Sequence, residues 1–272
     1  MKKISLFLLS LMVLSTGVAS AGTTVTIKGS TTVLPIAQAV AEAYMKIQPE
    51  TNISISAGGS GDGIKALLDK STNIAMSSRD LKKEELSLAS QNGVNPLVKT
   101  VAIDAIVPVV HPKNKVSNIT IDQLAMIYTG KITNWKELGG DDLQIVMVSR
   151  DSSSGTFESW GQLVLKGEKV TPKAQLQASN GAVVQVVSKN KYAIGYIGIG
   201  YLDKSIKALQ VNGIVATPKT ALSKEYPIAR GLYMITNGEP AGETANFMNY
   251  LLSRDGQVIV EKTGFVPLGS NK

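Results

Sequence analysis

The sequence predicts an α/β fold of two lobes, each a mainly parallel sheet flanked by helices, joined by two hinge crossings. Three observations carry this. Over the first third of the chain, short β-branched runs alternate with apolar residues at helical spacing, a β-α-β-α-β-α order that builds a parallel sheet with helices on both faces. Two longer extended segments, residues 98–110 (VKTVAIDAIVPVV) and 228–235 (IARGLYMI), suit strands that carry the chain into a second lobe and back. No internal repeat or low-complexity linker divides the 272 residues, a length suited to one large domain or two lobes of ordinary size. The lobes are expected at residues 22–102 with 229–272, and at residues 103–228.

Taken in order, residues 23–27 (TTVTI) form a strand. Val33, Leu34, Ala37, Val40, Ala41, Tyr44 and Met45 then recur at helical spacing, with Thr31 or Thr32 as candidate N-cap. Residues 52–56 (NISIS) form a second strand, and Ile64, Leu67 and Leu68 mark a short helix. Residues 73–76 form a third strand, followed by a helix over 81–89 that stops near Gly93. Beyond the first crossing, residues 120–128 form a capped helix ended by Gly130. A strand at 143–148 leads to a helix at 156–165, and a helix at 180–188 leads to a strand at 192–199. After the return crossing, residues 241–252 form a terminal helix.

Composition narrows the function classes. With 43% hydrophobic residues the chain can bury a sizeable core. Lys+Arg 28 against Asp+Glu 21 gives +7, which suits an anionic partner. The lysines are dispersed, and Lys82-Lys83 is the longest lysine run outside the first residues, so no nucleic-acid partner is expected. Cysteine is absent and His111 is the one histidine, which removes disulfides, thiolate chemistry and multi-histidine zinc sites. The first residues read as an export signal. Met1-Lys2-Lys3 is a basic start, residues 4–14 are apolar, and Ala19-Ser20-Ala21 has the small-x-small pattern of a cleavage site. Cleavage after Ala21 would release a mature chain without a lipid-anchor cysteine.

Four hydroxyl- and glycine-rich turns share one niche, the carboxyl end of a strand opening into a helix. They are Gly29-Ser30-Thr31-Thr32, residues 58–63 (GGSGDG), Ser77-Ser78-Arg79-Asp80 and residues 150–156 (RDSSSGT). Ligands of open α/β sheets bind at such strand ends. Helix N-termini supply free N–H groups and partial positive charge, and Ser, Thr and Arg add donors. Singly, each turn is ordinary capping chemistry. Together, with Arg79 and Arg150 in two of them, they describe a cradle for a small oxyanion.

The segments GSTTVLP, GGSGDGI, SSRD, DAIVPVVHP and RDSSSGT, with residues 121–140 and 190–202, resemble the periplasmic phosphate-binding proteins of ABC-type phosphate uptake. The resemblance spans essentially the whole mature chain. It implies a hinged type II binding-protein fold, phosphate in the interlobe cleft, and delivery to an ABC-type membrane permease. By motif it implies Thr31 and Thr32 as contacts with Ser30 adjacent, then Ser60, and then Arg150, Ser154, Gly155 and Thr156. Where some members carry an aspartate that accepts the proton of hydrogen phosphate, this sequence has Ser78. That role then falls to Asp62, to Asp80, or to a hydroxyl or backbone carbonyl.

No cofactor and no resident metal is expected, since Asp62, Asp80 and Asp151 sit among hydroxyls and glycines rather than in a carboxylate cage. An enzyme would need a positioned nucleophile and base, and neither a G-x-x-x-x-G-K-[ST] loop nor a G-x-S-x-G elbow is present. A binding protein for sulfate or molybdate would share the same cradle. A monomer is expected.

Overall fold

The alternation in TTVTIKG buries Val25 and Ile27 and makes β1 (Thr23–Gly29) the centre of the first half of the sheet. This computed structural model describes residues 23–269; the export signal expected at residues 1–21 lies outside them. α1 (Leu34–Ile47) follows, then β2 (Thr51–Ala57), α2 (Ser60–Leu68), β3 (Ile74–Ser77) and α3 (Lys83–Gln91). β1 pairs in parallel with β2 on one side and β3 on the other. α1 buries Ile36, Ala37, Val40, Ala41 and Tyr44 at the spacing the sequence shows, but neither Thr31 nor Thr32 caps it. Val33 stands at the N-cap without a side-chain bond, and Pro35 sets the first turn.

The chain then runs through β4 (Pro96–Val110), β5 (Asn118–Ile119), α4 (Ile121–Tyr128), β6 (Val146–Arg150), α5 (Gly155–Leu163), β7 (Gln175–Gln177), α6 (Asn180–Lys189) and β8 (Ala193–Gly198). β9 (Lys207–Ala208), β10 (Gln210–Val211), α7 (Pro218–Leu222), β11 (Ala229–Asn237), α8 (Gly242–Leu252) and α9 (Arg254–Lys262) complete it. The strand order is β2-β1-β3-β11-β4-β8-β6-β7, with β9 on β4, while β10 and β5 form a separate ribbon. Parallel pairing holds within β2-β1-β3 and within β8-β6-β7. The antiparallel joins are β11 with β3, β11 with β4, and β4 with β8. The sheet is therefore mixed, and its antiparallel character is concentrated in the two strands read as crossings.

β4 is the pivot of this arrangement. From Pro96 to Ala105 it pairs with β11, and from Ile106 to Val110 with β8. Val101 to Val110 are buried apart from half-buried Ile103 and include Pro108, whose missing N–H is tolerated where the strand changes neighbours.

Past the pivot, three aromatic rings fix the second half. Trp160 of α5 stacks on Tyr196 of β8 at 4.2 Å and 5°, and Tyr128 of α4 meets both edge-on at 5.2 and 5.4 Å. The Tyr128 hydroxyl lies 3.1 Å from the Val148 carbonyl and 3.2 Å from that of Ile194, tying α4 across β6 and β8. α9 gives no apolar periodicity because its apolar residues, Val258, Ile259 and Val260, are consecutive; Ser253 caps it, and buried Gln257 and Val260 anchor it. The Gln257 amide donates to the Val101 and Leu251 carbonyls and accepts from the Leu268 N–H.

Trp160→Ala is expected to destabilise the ligand-free protein by about 3–5 kcal/mol, as for other buried aromatic truncations. Urea unfolding followed by circular dichroism measures it. A loss below about 1 kcal/mol would mean the ring stack does not hold α5 on the sheet.

Candidate functional site

Three of the turns leave the parallel strands β1, β2 and β3, the fourth leaves β6, which runs in the opposite direction, and the fold brings the four against one another. The Thr32 and Thr156 hydroxyls are 2.9 Å apart although 124 residues separate them. The Ser153 hydroxyl donates to the Gly58 carbonyl at 2.9 Å, and the Gly61 N–H donates to the Ser153 carbonyl at 2.9 Å. Glycine permits this approach. A Cβ on Gly155 would stand 2.3 Å from Ser60 Oγ and 2.7 Å from Ser78 Oγ, so any side chain there would force the two walls apart.

Arg150 ends β6 inside this enclosure at 1% exposure. Its Nε donates to the Gln177 carbonyl at 2.9 Å. Its Nη2 donates to the Ala178 carbonyl at 2.9 Å and to Thr31 Oγ1 at 3.2 Å. Nη1 is buried without a hydrogen-bond partner, and among the described residues no carboxylate lies within ion-pair distance of the group, although the charge of Asp151 favours it from farther off. Burial pulls the guanidinium pKa down, yet arginine remains charged at any physiological pH. A buried cation without a counter-charge is costly unless an anion joins it. The Tyr196 hydroxyl fixes the strand end by accepting from the Arg150 N–H at 3.3 Å while bonded to Ser149 Oγ at 2.8 Å. Burial raises the Tyr196 pKa to about 12, so it serves as a neutral hydroxyl.

The other sequence-derived residues fall into three groups. Thr31, Thr32, Ser60, Ser78, Ser154, Gly155 and Thr156 are buried and line the enclosure with Arg150. Ser154 caps α5 by accepting from the Phe157 N–H at 3.2 Å, which leaves the first N–H groups of α5 without intrahelical partners. Ser60 Oγ accepts from the Ser78 N–H at 3.0 Å. Ser30 is buried too, but its hydroxyl accepts from the Thr32 N–H at 3.1 Å and shapes the turn. Arg79 and Asp62 face elsewhere. The Arg79 guanidinium makes two 2.7 Å bonds to Glu85 and stands 3.0 Å from Glu158, so carboxylates already neutralise it. Asp62 and Asp80 are exposed and bond to no residue of the enclosure.

Sequence reasoning missed three contributors. Asp104 of β4 and Arg230 of β11 face each other in register. Arg230 Nε and Nη2 donate to Asp104 Oδ2 at 2.9 and 2.8 Å. Its Nη2 also donates to Thr156 Oγ1 at 2.9 Å, and its Nη1 donates to the Ser78 carbonyl at 3.1 Å. Asp104 is fully buried and accepts from the Ile199 N–H at 3.0 Å. Burial pushes its carboxyl pKa up, and the guanidinium opposes that shift. The available signal was a charge inside each apolar crossing segment, Asp104 in residues 98–110 and Arg230 in residues 228–235. Asn180, at the start of α6, gave no signal beyond a helix start. Its amide nitrogen donates to both Thr31 Oγ1 and Thr32 Oγ1, at 3.2 and 3.1 Å.

The enclosure thus offers one uncompensated guanidinium, several hydroxyls and a helix N-terminus, which is the donor set for a small, multiply charged oxyanion. Among the described residues, no group of three or more His, Cys, Asp or Glu converges on a metal-sized site. Asp104→Ala is expected to cost about 3–5 kcal/mol of ligand-free stability, because Arg230 would be left buried and unpaired. Asp104→Ala combined with Arg230→Met should recover most of that loss in denaturant unfolding; no recovery would mean the pair is not the source.

The chain matches the PBP superfamily domain model over residues 15–255. It is 39% identical to the phosphate-binding protein PstS of Borreliella burgdorferi over 89% of each chain. It is 34% identical to the phosphate-binding protein PstS of Bacillus subtilis over 94% of this chain and 84% of that one. A crystal structure from Clostridium perfringens with bound phosphate superposes with a TM-score of 0.84 at 39% identity, covering 90% of this chain and 99% of that one. An ABC-type phosphate transport receptor from Vibrio cholerae superposes with a TM-score of 0.74 at 35% identity, covering 89% and 99%. With its mixed sheet, its doubled-back crossing strands and its match along nearly the whole length, the chain belongs to the PstS family of phosphate-binding proteins within the PBP superfamily, and its fold is the two-lobed type II fold.

Proposed function

We propose that this chain captures inorganic phosphate between its lobes and delivers it to an ABC-type membrane permease. The observation that carries this reading is the buried Arg150 Nη1, a charged donor with no protein partner. A phosphate placed there receives bonds from Arg150 Nη1, from the Thr31 hydroxyl, from one hydroxyl of the Thr32–Thr156 pair and one of the Ser60–Ser78 pair, and from the first N–H groups of α5 capped by Ser154. Arg79, Asp62 and Ser30 act around the site rather than on the ligand. Sulfate or molybdate would satisfy much of the same donor set, and the choice among them is a matter of titration.

Capture proceeds by hinge closure. Residues 22–102 with 229–272 make one lobe, and residues 103–228 the other. The change of partner along β4 between Ala105 and Ile106 supports bending there. Ligand held by Thr32 on one side and Thr156 on the other favours the closed form by differential affinity. The protein works outside the cytoplasmic membrane, in the periplasm, after cleavage behind Ala21, and as a monomer.

Calorimetric titration of phosphate-stripped protein with phosphate and then sulfate tests the reading; heat with neither anion would overturn it. Arg150→Ala should weaken phosphate binding by at least ~2 kcal/mol, since charge-assisted bonds of ~1.5–3 kcal/mol are lost, while ligand-free stability changes little. Small-angle scattering should report a more compact particle with saturating phosphate than without, and superimposable profiles would exclude closure.

A further inference from the structure

Resting on the phosphate reading, we infer that Asn180 and Arg230 are positioning residues that turn the hydroxyls of Thr31, Thr32 and Thr156 into a wall that presents two protons and a single open acceptor site to the ligand. A threonine hydroxyl has one proton and two acceptor sites, and it rotates to suit its neighbours. Arginine and the amide nitrogen of asparagine can only donate. Where such fixed donors fill the acceptor sites, the hydroxyl proton has one direction left.

Thr31 Oγ1 accepts from Arg150 Nη2 at 3.2 Å and from Asn180 Nδ2 at 3.2 Å. Both acceptor sites are filled, and among the described residues no protein acceptor receives its proton. Thr32 Oγ1 accepts from the second hydrogen of Asn180 Nδ2 at 3.1 Å, and Thr156 Oγ1 accepts from Arg230 Nη2 at 2.9 Å. These two hydroxyls share one bond at 2.9 Å, in which either can donate. If Thr156 donates, Thr32 has both acceptor sites filled and its proton is free. If Thr32 donates, the same is true of Thr156. Either way, the three hydroxyls present two protons to the enclosure and keep one open acceptor site, on whichever of Thr32 and Thr156 donates to the other.

The fixed donors are themselves locked. Asn180 Oδ1 accepts from the Gly198 N–H at 3.1 Å, so the amide cannot flip and expose its oxygen to the threonines. Arg230 is held by Asp104, whose buried carboxylate also takes the Ile199 N–H. Asp104 is therefore occupied and does not act on the ligand. The Ser60–Ser78 pair has no such imposed direction. Its hydroxyls lie 3.3 Å apart, and Ser60 Oγ takes only the Ser78 N–H as a fixed donor. A protonated phosphate oxygen is accommodated at that pair. This accounts for a phosphate site whose lining contains no carboxylate free to receive the ligand proton.

Two substitutions at position 180 separate positioning from structural support. The charges facing that position are Arg150 through Thr31, Arg230 through Thr156, and Asp104 through the Gly198–Ile199 segment. Asn180→Asp keeps the shape but offers acceptors, so Thr31 and Thr32 turn their protons into the protein. Asn180→Ala removes both donors and merely frees the hydroxyls to rotate. In calorimetric titration of the full chain, Asn180→Asp should weaken phosphate about 100-fold or more and Asn180→Ala about 10-fold, as expected for bonds to a charged ligand reversed rather than loosened. A merely structural role predicts the opposite order, because the alanine loses more packing and both bonds; that order would overturn the inference. A direct readout needs no variant. Neutron diffraction from perdeuterated wild type with phosphate should show the Thr31 Oγ1 deuteron aimed at a phosphate oxygen. A deuteron aimed at a protein atom would overturn the inference with phosphate capture still standing, whereas wild type that binds no phosphate would overturn the capture reading itself.

Discussion

The structure depends on one buried charge that the chain does not neutralise. Arg150 sits at the end of β6 at 1% exposure, its Nε and Nη2 held by carbonyls and Thr31, and its Nη1 left without a partner. Isolated charges are taken out of water only when something compensates them. Here the carbonyls of Gln177 and Ala178 supply partial compensation and fix the plane of the guanidinium. The remainder is left to an anion. The aromatic stack of Tyr128, Trp160 and Tyr196 serves the same end, since it holds the β6 terminus, the α5 N-terminus and the Tyr196 hydroxyl in one rigid unit.

The second guanidinium is treated in the opposite way. Arg230 is matched by a fully buried carboxylate in the adjacent strand, and its remaining donors go to the Ser78 carbonyl and Thr156. One arginine is therefore available to a ligand and the other is committed to architecture. The same division separates Arg150 from Arg79, whose guanidinium is taken up by Glu85 and Glu158. Arginine in a glycine- and serine-rich turn is not by itself an anion site; what decides is whether a carboxylate is already in reach.

That difference marks how much the sequence could show. The four turns, the helix order and the two crossing strands follow from period and turn chemistry, which are local properties. Ser60, Ser78, Arg150 and Thr156 were placed in the enclosure for the same reason, as they open helices from strand ends. The occupation of Arg79 was hidden because one of its partners, Glu158, lies 79 positions away on α5. Asp62 was weighed as a proton acceptor because it shares a turn with Ser60, but on α2 its side chain faces solvent. Asp104 and Arg230 left a mark, charges of opposite sign within the two apolar crossing strands, whose meaning required the register that pairs them. α9 stayed hidden because its apolar residues, Val258, Ile259 and Val260, are consecutive rather than spaced at helical period, and Gln257 takes part of the buried face.

On the proposed hinge closure, the closed form is a balance between contacts that join the walls and charges that resist joining. Thr32 with Thr156, Ser153 with Gly58, and Lys82 with Glu158 at 2.7 Å all bridge the cleft without any ligand. Alone they would favour a shut molecule that admits nothing. Against them stands the desolvation of Arg150, the largest effect on it, which attraction by Asp151 offsets in part and to which repulsion by Arg230 adds a smaller burden. An anion reverses the sign of this opposing contribution, since it replaces the lost water around Arg150 with charge-assisted bonds and screens one guanidinium from the other. The bridging contacts then act in the same direction as the ligand. A cation left unpaired is thus what allows a set of otherwise permanent contacts to depend on an anion.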